Sequence, residues 1–156
     1  MRAVVQRVSR AEVRVGGRVV GAIGRGLLVL AAGHRDDDDS DADRLADRIL
    51  GLRIFADAEG RMNLALADLP DDQEAGLLLV SQFTLYGDAR KSRRPSFVDS
   101  APFDRGRMLF DRLTESCRRA WPRVETGVFG AMMDVDLVND GPVTLILDVG
   151  PSGGQG

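Results

Sequence analysis

The sequence predicts an α+β fold, an α/β-type sandwich in which a strongly twisted, barrel-like and mostly antiparallel sheet carries two main helices. Two observations support this prediction. Four consecutive strand patterns open the chain, and two amphipathic helix patterns follow, each before further strand patterns. The length of 156 residues suits one domain, which we expect to comprise residues 1–149, followed by a disordered tail at residues 150–156.

The opening strand patterns lie at residues 2–8, 11–15, 18–23 and 26–32. In the second of them, apolar and charged residues alternate, as in a strand with one buried face. Gly16-Gly17 predicts a hairpin turn between the second and third strands. Residues 27–32 are continuously apolar, which favours a central position in the sheet.

Two later segments have helical spacing. Between residues 41 and 52, apolar residues recur at i, i+3, i+4, i+7 and i+8. A second helix is predicted at residues 102–120, because proline is favoured in a first turn. Its apolar face carries Phe103, Gly106, Phe110, Leu113 and Cys117. We therefore interpret Cys117 as a small core residue rather than a nucleophile.

A polar group of residues follows a buried strand near the middle of the chain. The apolar run at residues 77–80 predicts a strand buried on both faces, and it ends in Ser81-Gln82-Phe83-Thr84-Leu85. Strand ends and the loops after them commonly carry binding groups on a rigid scaffold. A hydroxyl such as that of Ser81 can also simply bond to nearby main chain.

A proline stands at an unusual place near the end of the chain, in Asn139-Asp140-Gly141-Pro142-Val143-Thr144. Residues 134–138 and 143–149 predict two strands that pair with each other around this corner. Proline is confined to strand starts, edges and bulges, and its peptide bond is the one for which cis is accessible. Gly141 has no Cβ, so a ligand can approach its backbone closely. The alternative is an ordinary tight turn.

Composition and charge limit the classes of function. A net charge of −3 argues against a protein that coats nucleic acid, although it allows contact with one end of an RNA. Acidic residues cluster at residues 36–39, and basic residues cluster soon after Thr84, at Arg90, Lys91, Arg93 and Arg94. The basic cluster can also be a solvated loop, whereas the acidic residues favour the positive end of the dipole of the helix that follows them.

The inventory of reactive side chains is small. His34 is the only histidine, so neither a Ser-His-Asp triad nor a Cys-His pair is evident. No spacing of ligands typical of zinc or calcium is present, and no glycine-rich phosphate loop. We therefore expect no metal and no cofactor. A hydrolase with these groups needs a substrate bond that is already labile.

The expected location is the cytoplasm. The single cysteine suits a reducing compartment, and no apolar run is long enough to cross a bilayer. The first residues enter a strand pattern without a signal-peptide core, and we expect no membrane partner.

The segments at residues 81–85 and 139–144 together resemble the paired signature of the D-aminoacyl-tRNA deacylase family, of the small bacterial and eukaryotic type. Residues 6–8 with 11–13 are similar to the opening hairpin of that family. Further similar segments lie at residues 53–57, 60–63, 94–97 and 126–130.

The resemblance implies hydrolysis of the ester bond of D-aminoacyl-tRNA, which releases the D-amino acid and tRNA, and also of glycyl-tRNA mischarged on tRNA(Ala). It implies a homodimer with active sites at the interface, where the corner of Gly141, Pro142 and Val143 of one subunit enters the pocket of the other. Carbonyls of the corner would bind the α-amino group of the aminoacyl-tRNA 3′ end, and an L side chain would meet the backbone. Arg7 would hold the corner in place; otherwise it is a surface arginine.

Within the pocket, Ser81 and Gln82 are expected to line the wall. The N–H groups of Phe83 and Thr84 are candidates to bind the developing oxyanion. Thr84 can attack or can orient water, and we prefer orientation because no base is visible. Phe97 and Phe129 are candidates to stack the terminal adenine, or to pack in the core.

Two other classes of function stay open from the sequence. One is a non-catalytic, dimeric nucleic-acid-binding protein that uses the basic cluster. The other is an esterase for small D-amino-acid esters, which would need no basic rim.

Overall fold

The computed structural model describes residues 1–70, 74–90 and 92–150. Its strands and helices are, in chain order, β1 (Arg2–Val15), β2 (Arg18–Ile23), β3 (Gly26–Ala32), α1 (Asp39–Leu50), β4 (Phe55–Ala56), β5 (Met62–Leu64), β6 (Gly76–Ser81), α2 (Phe103–Ala120), β7 (Val124–Thr126) and β8 (Asp134–Asp148). Lys91 and all of the expected tail except Gly150 lie outside the described residues. None of the helices just named is long and apolar enough to span a membrane.

The main sheet is mixed and curls into a nearly closed barrel. Its order is β2-β1-β3-β6-β7, and β8 pairs along β1. The three pairings of β1 are antiparallel, whereas β3–β6 and β6–β7 are parallel because α1 and α2 serve as crossovers. The edge strands approach each other closely, since a Cβ added at Gly21 of β2 would lie 2.6 Å from the carbonyl oxygen of Thr126 in β7. The predicted fold class is confirmed.

The opening of the chain differs from the prediction. The two expected strands at residues 2–8 and 11–15 are one continuous strand, β1, so a hairpin between Val8 and Ala11 is wrong. The hairpin lies at Gly16-Gly17, where φ is +57° and +79°, as the two glycines predicted. The residues at 9 and 10 look like a break, but β1 stays extended through them because it has partners on both sides.

The end of the chain also differs. Residues 134–138 and 143–149 do not pair with each other. All of them except Val149 belong to β8, and both segments pair with β1. The Gly141-Pro142 corner interrupts this pairing as a bulge, with register shifts opposite residues 6–10 of β1. A bulge accommodates the missing N–H of proline within a strand.

The alternation of side chains along β3 and β6 produces two apolar cores. Leu27 and Leu77 face the helices, whereas Leu28 and Leu78 face the barrel interior. The predicted apolar stripe of α1 is buried, and so are Phe110, Leu113 and Cys117 of α2. Burial raises the pKa of the Cys117 thiol to about 12, consistent with a core role.

The acidic cluster at residues 36–39 is largely structural. Asp37 is buried and lies 2.7 Å from the ammonium group of Met1. Asp38 caps α1 by accepting bonds from the N–H groups of Ser40 and Asp41, and Asp41 completes a capping box. Asp38 and Asp41 therefore fix the start of α1, as expected for acidic residues before a helix, and Asp37 holds the N-terminus.

The two helices are joined by a charged contact. The guanidinium of Arg112 in α2 donates to both carboxylate oxygens of Asp43 in α1, at 2.8 and 2.6 Å. Ser116 donates to the same carboxylate. The hydrogen bond from Arg112 is the main reason that the pKa of Asp43 falls to about 2.

We predict that Asp43→Asn changes stability in a pH-dependent way. Because the folded pKa of Asp43 lies below its ordinary value of 3.8, the contact stabilises the fold above about pH 4 and is lost as the pH falls towards 2. The side chain of Asp43 is 38% exposed, so solvent screening keeps the contribution at about 1 kcal/mol or less.

Urea denaturation between pH 2 and pH 6 measures this contribution. The free energies of unfolding of wild type and Asp43→Asn should converge near pH 2, while Asp47→Asn, an exposed position on the same helix, should follow wild type throughout. A gap between Asp43→Asn and wild type that is as large at pH 2 as at pH 6 would contradict the assignment.

Candidate functional site

A cavity of about 630 Å³ opens at one end of the barrel. The end of β6 and the turn after it form one wall, with Ser81, Gln82, Phe83 and Thr84. Aromatic and methionine side chains from α2 and the segment before β8 form the other walls: Phe103, Phe110, Phe129, Met132 and Met133. Phe103, expected in the core, is 59% exposed because the first turn of α2 lies at the cavity mouth.

The cavity has polar groups but no ionisable side chain among the described residues that line it. Its polar side chains are Ser81, Gln82, Thr84 and Ser100. Across the described part of the chain, no three His, Cys, Asp or Glu residues are placed to hold a metal ion. The site can therefore act through hydrogen bonds and oriented dipoles.

The turn at Phe83–Tyr86 lies at the cavity wall and contains the two main-chain N–H groups expected to be donors. The N–H of Gln82 donates to the carbonyl of Ala31 at 2.8 Å, which extends the parallel pairing of β3 and β6 by one residue. The chain then enters a single 3-10 turn, whose first internal bond runs from Leu85 N–H to Gln82 at 3.1 Å. The N–H groups of Phe83 and Thr84 open this turn, where a helical segment has no carbonyl of its own to receive them.

The side chains of this turn are ordered with respect to one another. The amide of Gln82 donates to the hydroxyl oxygen of Thr84, which is exposed to the cavity. That bond uses a lone pair of the hydroxyl and leaves its proton free to donate. The four residues predicted at this end of β6 therefore share one site.

Arg2 of β1 supports the turn across β3, a role that the local sequence did not indicate. Its guanidinium pairs with Asp148 at 2.7 Å and donates to the carbonyl of Leu85 at 3.1 Å. It also lies 5.1 Å from the ring centre of Tyr86, and burial raises the pKa of that tyrosine above its ordinary value. Arg2 faces Asp148 only because β1 pairs with β8, which local patterns did not show.

Phe97 and Phe129, the two candidates to stack the terminal adenine, lie in different surroundings. Phe97 packs edge-to-face against Phe83, with ring centres 5.1 Å apart, and lies beside the cavity rather than in its lining. Phe129 lines the cavity and packs against Phe103 and Phe110, at 5.3 and 5.9 Å. Phe129 thus combines a place in the cavity with a place against the core.

His34 and part of the basic cluster have local partners. His34 packs against Tyr86, with ring centres 5.3 Å apart, and does not line the cavity. Arg90 pairs with Asp88 through two hydrogen bonds of 2.9 and 3.0 Å. That contact lowers the pKa of Asp88 to about 2. The charge of Arg90 is therefore already matched.

The Gly141-Pro142 corner has a cis peptide bond and is held by side chains around it. The amide of Asn139 donates to the carbonyls of Arg7 and Val143, both at 2.9 Å. Arg7 lies against the corner: its Nε is 3.1 Å from Asp140, and its guanidinium donates to the carbonyl of Ile54. Asn139 has no role that local sequence indicates, because its two bonds depend on the bulge.

Only glycine fits at position 141. Its φ is +127°, and a Cβ there would lie 2.8 Å from Cγ2 of Val143 and 3.0 Å from Nη2 of Arg7. The backbone of the corner is thus exposed on its outer side and tightly packed on its inner side.

The corner and the Thr84 turn lie apart within one chain. The corner lies in β8 opposite Val8 of β1, and the adjacent Arg7 pairs with Leu27 of β3. Ser81 of β6 pairs with Ala31, at the other end of β3. Three strand spacings separate β8 from β6, about 14 Å, and four residues along β3 add about 13 Å. None of Gly141, Pro142 and Val143 lines the cavity.

Comparisons with known proteins define the family. The family model described as D-Tyr-tRNA(Tyr) deacylase matches residues 4–148. A D-aminoacyl-tRNA deacylase from Anaeromyxobacter dehalogenans (strain 2CP-C) is 58% identical over 148 residues, covering 95% of this chain and 97% of the relative. One from Thermotoga petrophila (strain ATCC BAA-488 / DSM 13995 / JCM 10881 / RKU-1) is 53% identical, with the same coverage. The chain therefore belongs to the D-Tyr-tRNA(Tyr) deacylase family, which confirms the resemblance.

Solved structures agree with the fold. The protein titled c-Myc DNA Unwinding Element Binding Protein matches with a TM-score of 0.87 and 36% identity, covering 95% of this chain and 98% of its own. A probable eukaryotic D-amino acid tRNA deacylase matches with a TM-score of 0.79, 22% identity and the same coverage, and supports the fold alone.

Proposed function

We propose that this protein hydrolyses the ester bond of D-aminoacyl-tRNA and so releases the D-amino acid and free tRNA, as a proofreading step in translation. The observation that carries the proposal is the cavity: it offers hydroxyls, an amide and backbone N–H groups without an ionisable side chain among its described lining residues. Relatives that are 53–58% identical over 95% of the chain carry the name D-aminoacyl-tRNA deacylase. Such an enzyme acts where charged tRNA is used, in the cytoplasm, which cell fractionation can test.

The cavity suits an ester that is already reactive. An aminoacyl ester on ribose is activated by its α-ammonium group and by the neighbouring 2′-hydroxyl. The N–H groups of Phe83 and Thr84 would bind the oxyanion as it forms, and the walls would hold the ester in position. Thr84 receives a hydrogen bond from Gln82, and no described residue that lines the cavity has a side-chain base, so the Thr84 hydroxyl would orient water or substrate rather than attack.

We predict that Thr84→Ala keeps measurable activity, with kcat reduced by about tenfold or less, as expected for the loss of one hydrogen bond. A D-aminoacyl-tRNA whose terminal adenosine lacks the 2′-hydroxyl should instead react about 100-fold or more slowly. That hydroxyl would take a proton from the attacking water while giving its own to the leaving 3′ oxygen, a contribution typical of a positioned acid–base group. Single-turnover release of labelled D-amino acid measures both.

Thr84→Ser is the matched control, since it keeps the hydroxyl and should approach wild type. Complete loss of turnover in Thr84→Ala with binding intact, together with normal hydrolysis of the 2′-deoxy substrate, would show that Thr84 is the nucleophile.

Selection for D-amino acids is proposed to come from a second copy of the chain. The corner is separated from the Thr84 turn by about 14 Å across the sheet and 13 Å along it, so one chain does not bring both to one ester. The corner of a partner would supply carbonyls of Gly141 and Pro142 to the α-amino group, and its backbone would meet an L side chain. Arg7 and Asn139 would keep Val143 and the rest of the corner rigid.

The strand that carries the corner has apolar side chains available for such an interface. Ile146, Val138 and Leu145 of β8 are 68%, 43% and 36% exposed in the single chain. Exposed apolar side chains along one strand favour contact with another protein surface. Leu145 and Ile146 are adjacent, so their side chains point to opposite faces of β8. A homodimer that packs on the face of Ile146 would cover that side chain and bring the corner to the partner.

We predict that Ile146→Glu shifts the protein to a monomer and lowers deacylation at least about 100-fold, because a buried, unpaired charge opposes association. Sedimentation velocity gives the mass and amino-acid release gives the rate. Val20→Glu is the control, since Val20 is an exposed apolar residue on β2, at 38%. A wild-type monomer with full activity would refute the shared site.

The substrate class follows from the same arrangement. We predict rapid release from D-tyrosyl-tRNA, at least about 100-fold slower release from L-tyrosyl-tRNA, and release from glycyl-tRNA(Ala), because glycine has no side chain to exclude. A free D-tyrosine ester should react slowly, since it lacks the RNA.

Each other outcome points to a different class of protein. Tight retention of tRNA without release would indicate a nucleic-acid-binding protein. Equal release from the free ester and from tRNA would indicate an esterase for small molecules.

A further inference from the structure

Arg107 lies at the mouth of the cavity, on two of its aromatic walls. Its guanidinium carbon is 5.3 Å from the ring centre of Phe103 and 5.1 Å from that of Phe129. Both rings line the cavity, and they pack edge-to-face 5.3 Å apart. An arginine in this position is held in place by two ring faces.

The ion pairing of Arg107 differs from that of three other arginines on α2. Arg105, Arg112 and Arg119 lie 3.4, 2.6 and 3.7 Å from Asp39 or Asp43. No ion pair of Arg107 occurs among the described residues, although Asp104 and Asp111 stand one turn away on the same helix. Arg107 is exposed, so the N–H edge of its guanidinium is available to an anion.

Among its described lining residues the cavity has no cationic side chain, and the ammonium group of Met1, which also lines it, is already paired with Asp37. The proposed substrate, in contrast, is an anion. In a terminal nucleotide the aminoacyl ester is on the 2′ or 3′ oxygen of the ribose, and the phosphate is on the 5′ side of the same ring. An ester beside Thr84 therefore places a phosphate near the cavity mouth. Guanidinium groups bind phosphate through paired hydrogen bonds, and aromatic walls suit an unpaired base.

We infer that Arg107, supported by Phe103 and Phe129, binds a phosphate in the single-stranded 3′ end of the tRNA. The inference rests on the proposed function, because it takes the occupant of the cavity to be a nucleotide ester. Arg107 is a substrate-binding residue that supplies the charge the cavity lacks, and it takes no part in bond breaking.

The test compares Arg107→Ala, Arg107→Lys and wild type on D-tyrosyl-tRNA. Arg107→Ala should raise KM about tenfold and leave kcat within about twofold, as for the loss of one charged contact. The slope of log KM against log salt should fall by about 0.7, the value for one phosphate contact on a single strand. Arg107→Lys should keep the salt slope and recover part of the KM.

Two controls isolate the phosphate. Arg118→Ala removes another exposed arginine of α2 and should behave as wild type. D-Tyrosyl-adenosine has the ester and base without a phosphate, so Arg107→Ala should hydrolyse it with unchanged kcat/KM. Thermal unfolding of each variant checks that the fold is kept.

The outcomes separate this inference from the proposed function. If wild type releases no D-tyrosine from tRNA, the proposed function fails. If wild type is active while Arg107→Ala keeps its KM and salt slope, the inference alone is overturned. Equal damage to tRNA and to D-tyrosyl-adenosine would show that Arg107 shapes the aromatic wall, which also overturns it.

Discussion

The fold depends on the pairing of β1 with three other strands. β1 runs from Arg2 to Val15, and its antiparallel partners are β2, β3 and β8. Its pairing with β8 brings Arg2 to Asp148 and thereby to the turn that carries Thr84. The same pairing, interrupted opposite Val8, produces the corner at Gly141. Both parts of the proposed chemistry are thus fixed by one strand.

Because the described lining of the cavity has no ionisable side chain, the groups that bind the charged substrate are separate from those that promote bond breaking. The ammonium group of Met1, which also lines the cavity, is paired with Asp37, so the described lining residues offer no base to activate a hydroxyl or water strongly. Donors from backbone and amide groups are already oriented, so they stabilise developing charge with little reorganisation. As a consequence, the ester bond of the substrate must be reactive by itself, and the phosphates of the substrate must be bound by cations outside the cavity. An arginine on the aromatic rim meets the second need without placing a charge beside the ester.

Local patterns predicted what depends on local sequence. The apolar run at residues 77–80, the Gly16-Gly17 turn and the stripe of α1 all form as expected, because burial and turn geometry act within a few residues. The incorrect predictions concern long-range pairing. The sequence predicts two strands each for β1 and β8, because Ser9-Arg10 and Gly141-Pro142 interrupt the strand patterns. Arg2 and Asn139 were missed for the same reason, because their partners are 83 and 132 residues away.

The separation of the Thr84 turn from the corner determines how the protein would select D- over L-aminoacyl-tRNA. Ser81 and Thr84 lie at the end of β6, whereas the corner lies three strands away, so the hydroxyl turn and the corner do not meet within a single chain. In the proposed homodimer, the group that rejects L residues comes from one subunit and the donors that promote hydrolysis come from the other. A dissociated chain would then lack the filter together with the amine-binding carbonyls. Because positioning of the ester supplies much of the rate at a site without a base, loss of those carbonyls would also remove activity. The arrangement would therefore prevent an unselective monomer from hydrolysing correctly charged L-aminoacyl-tRNA.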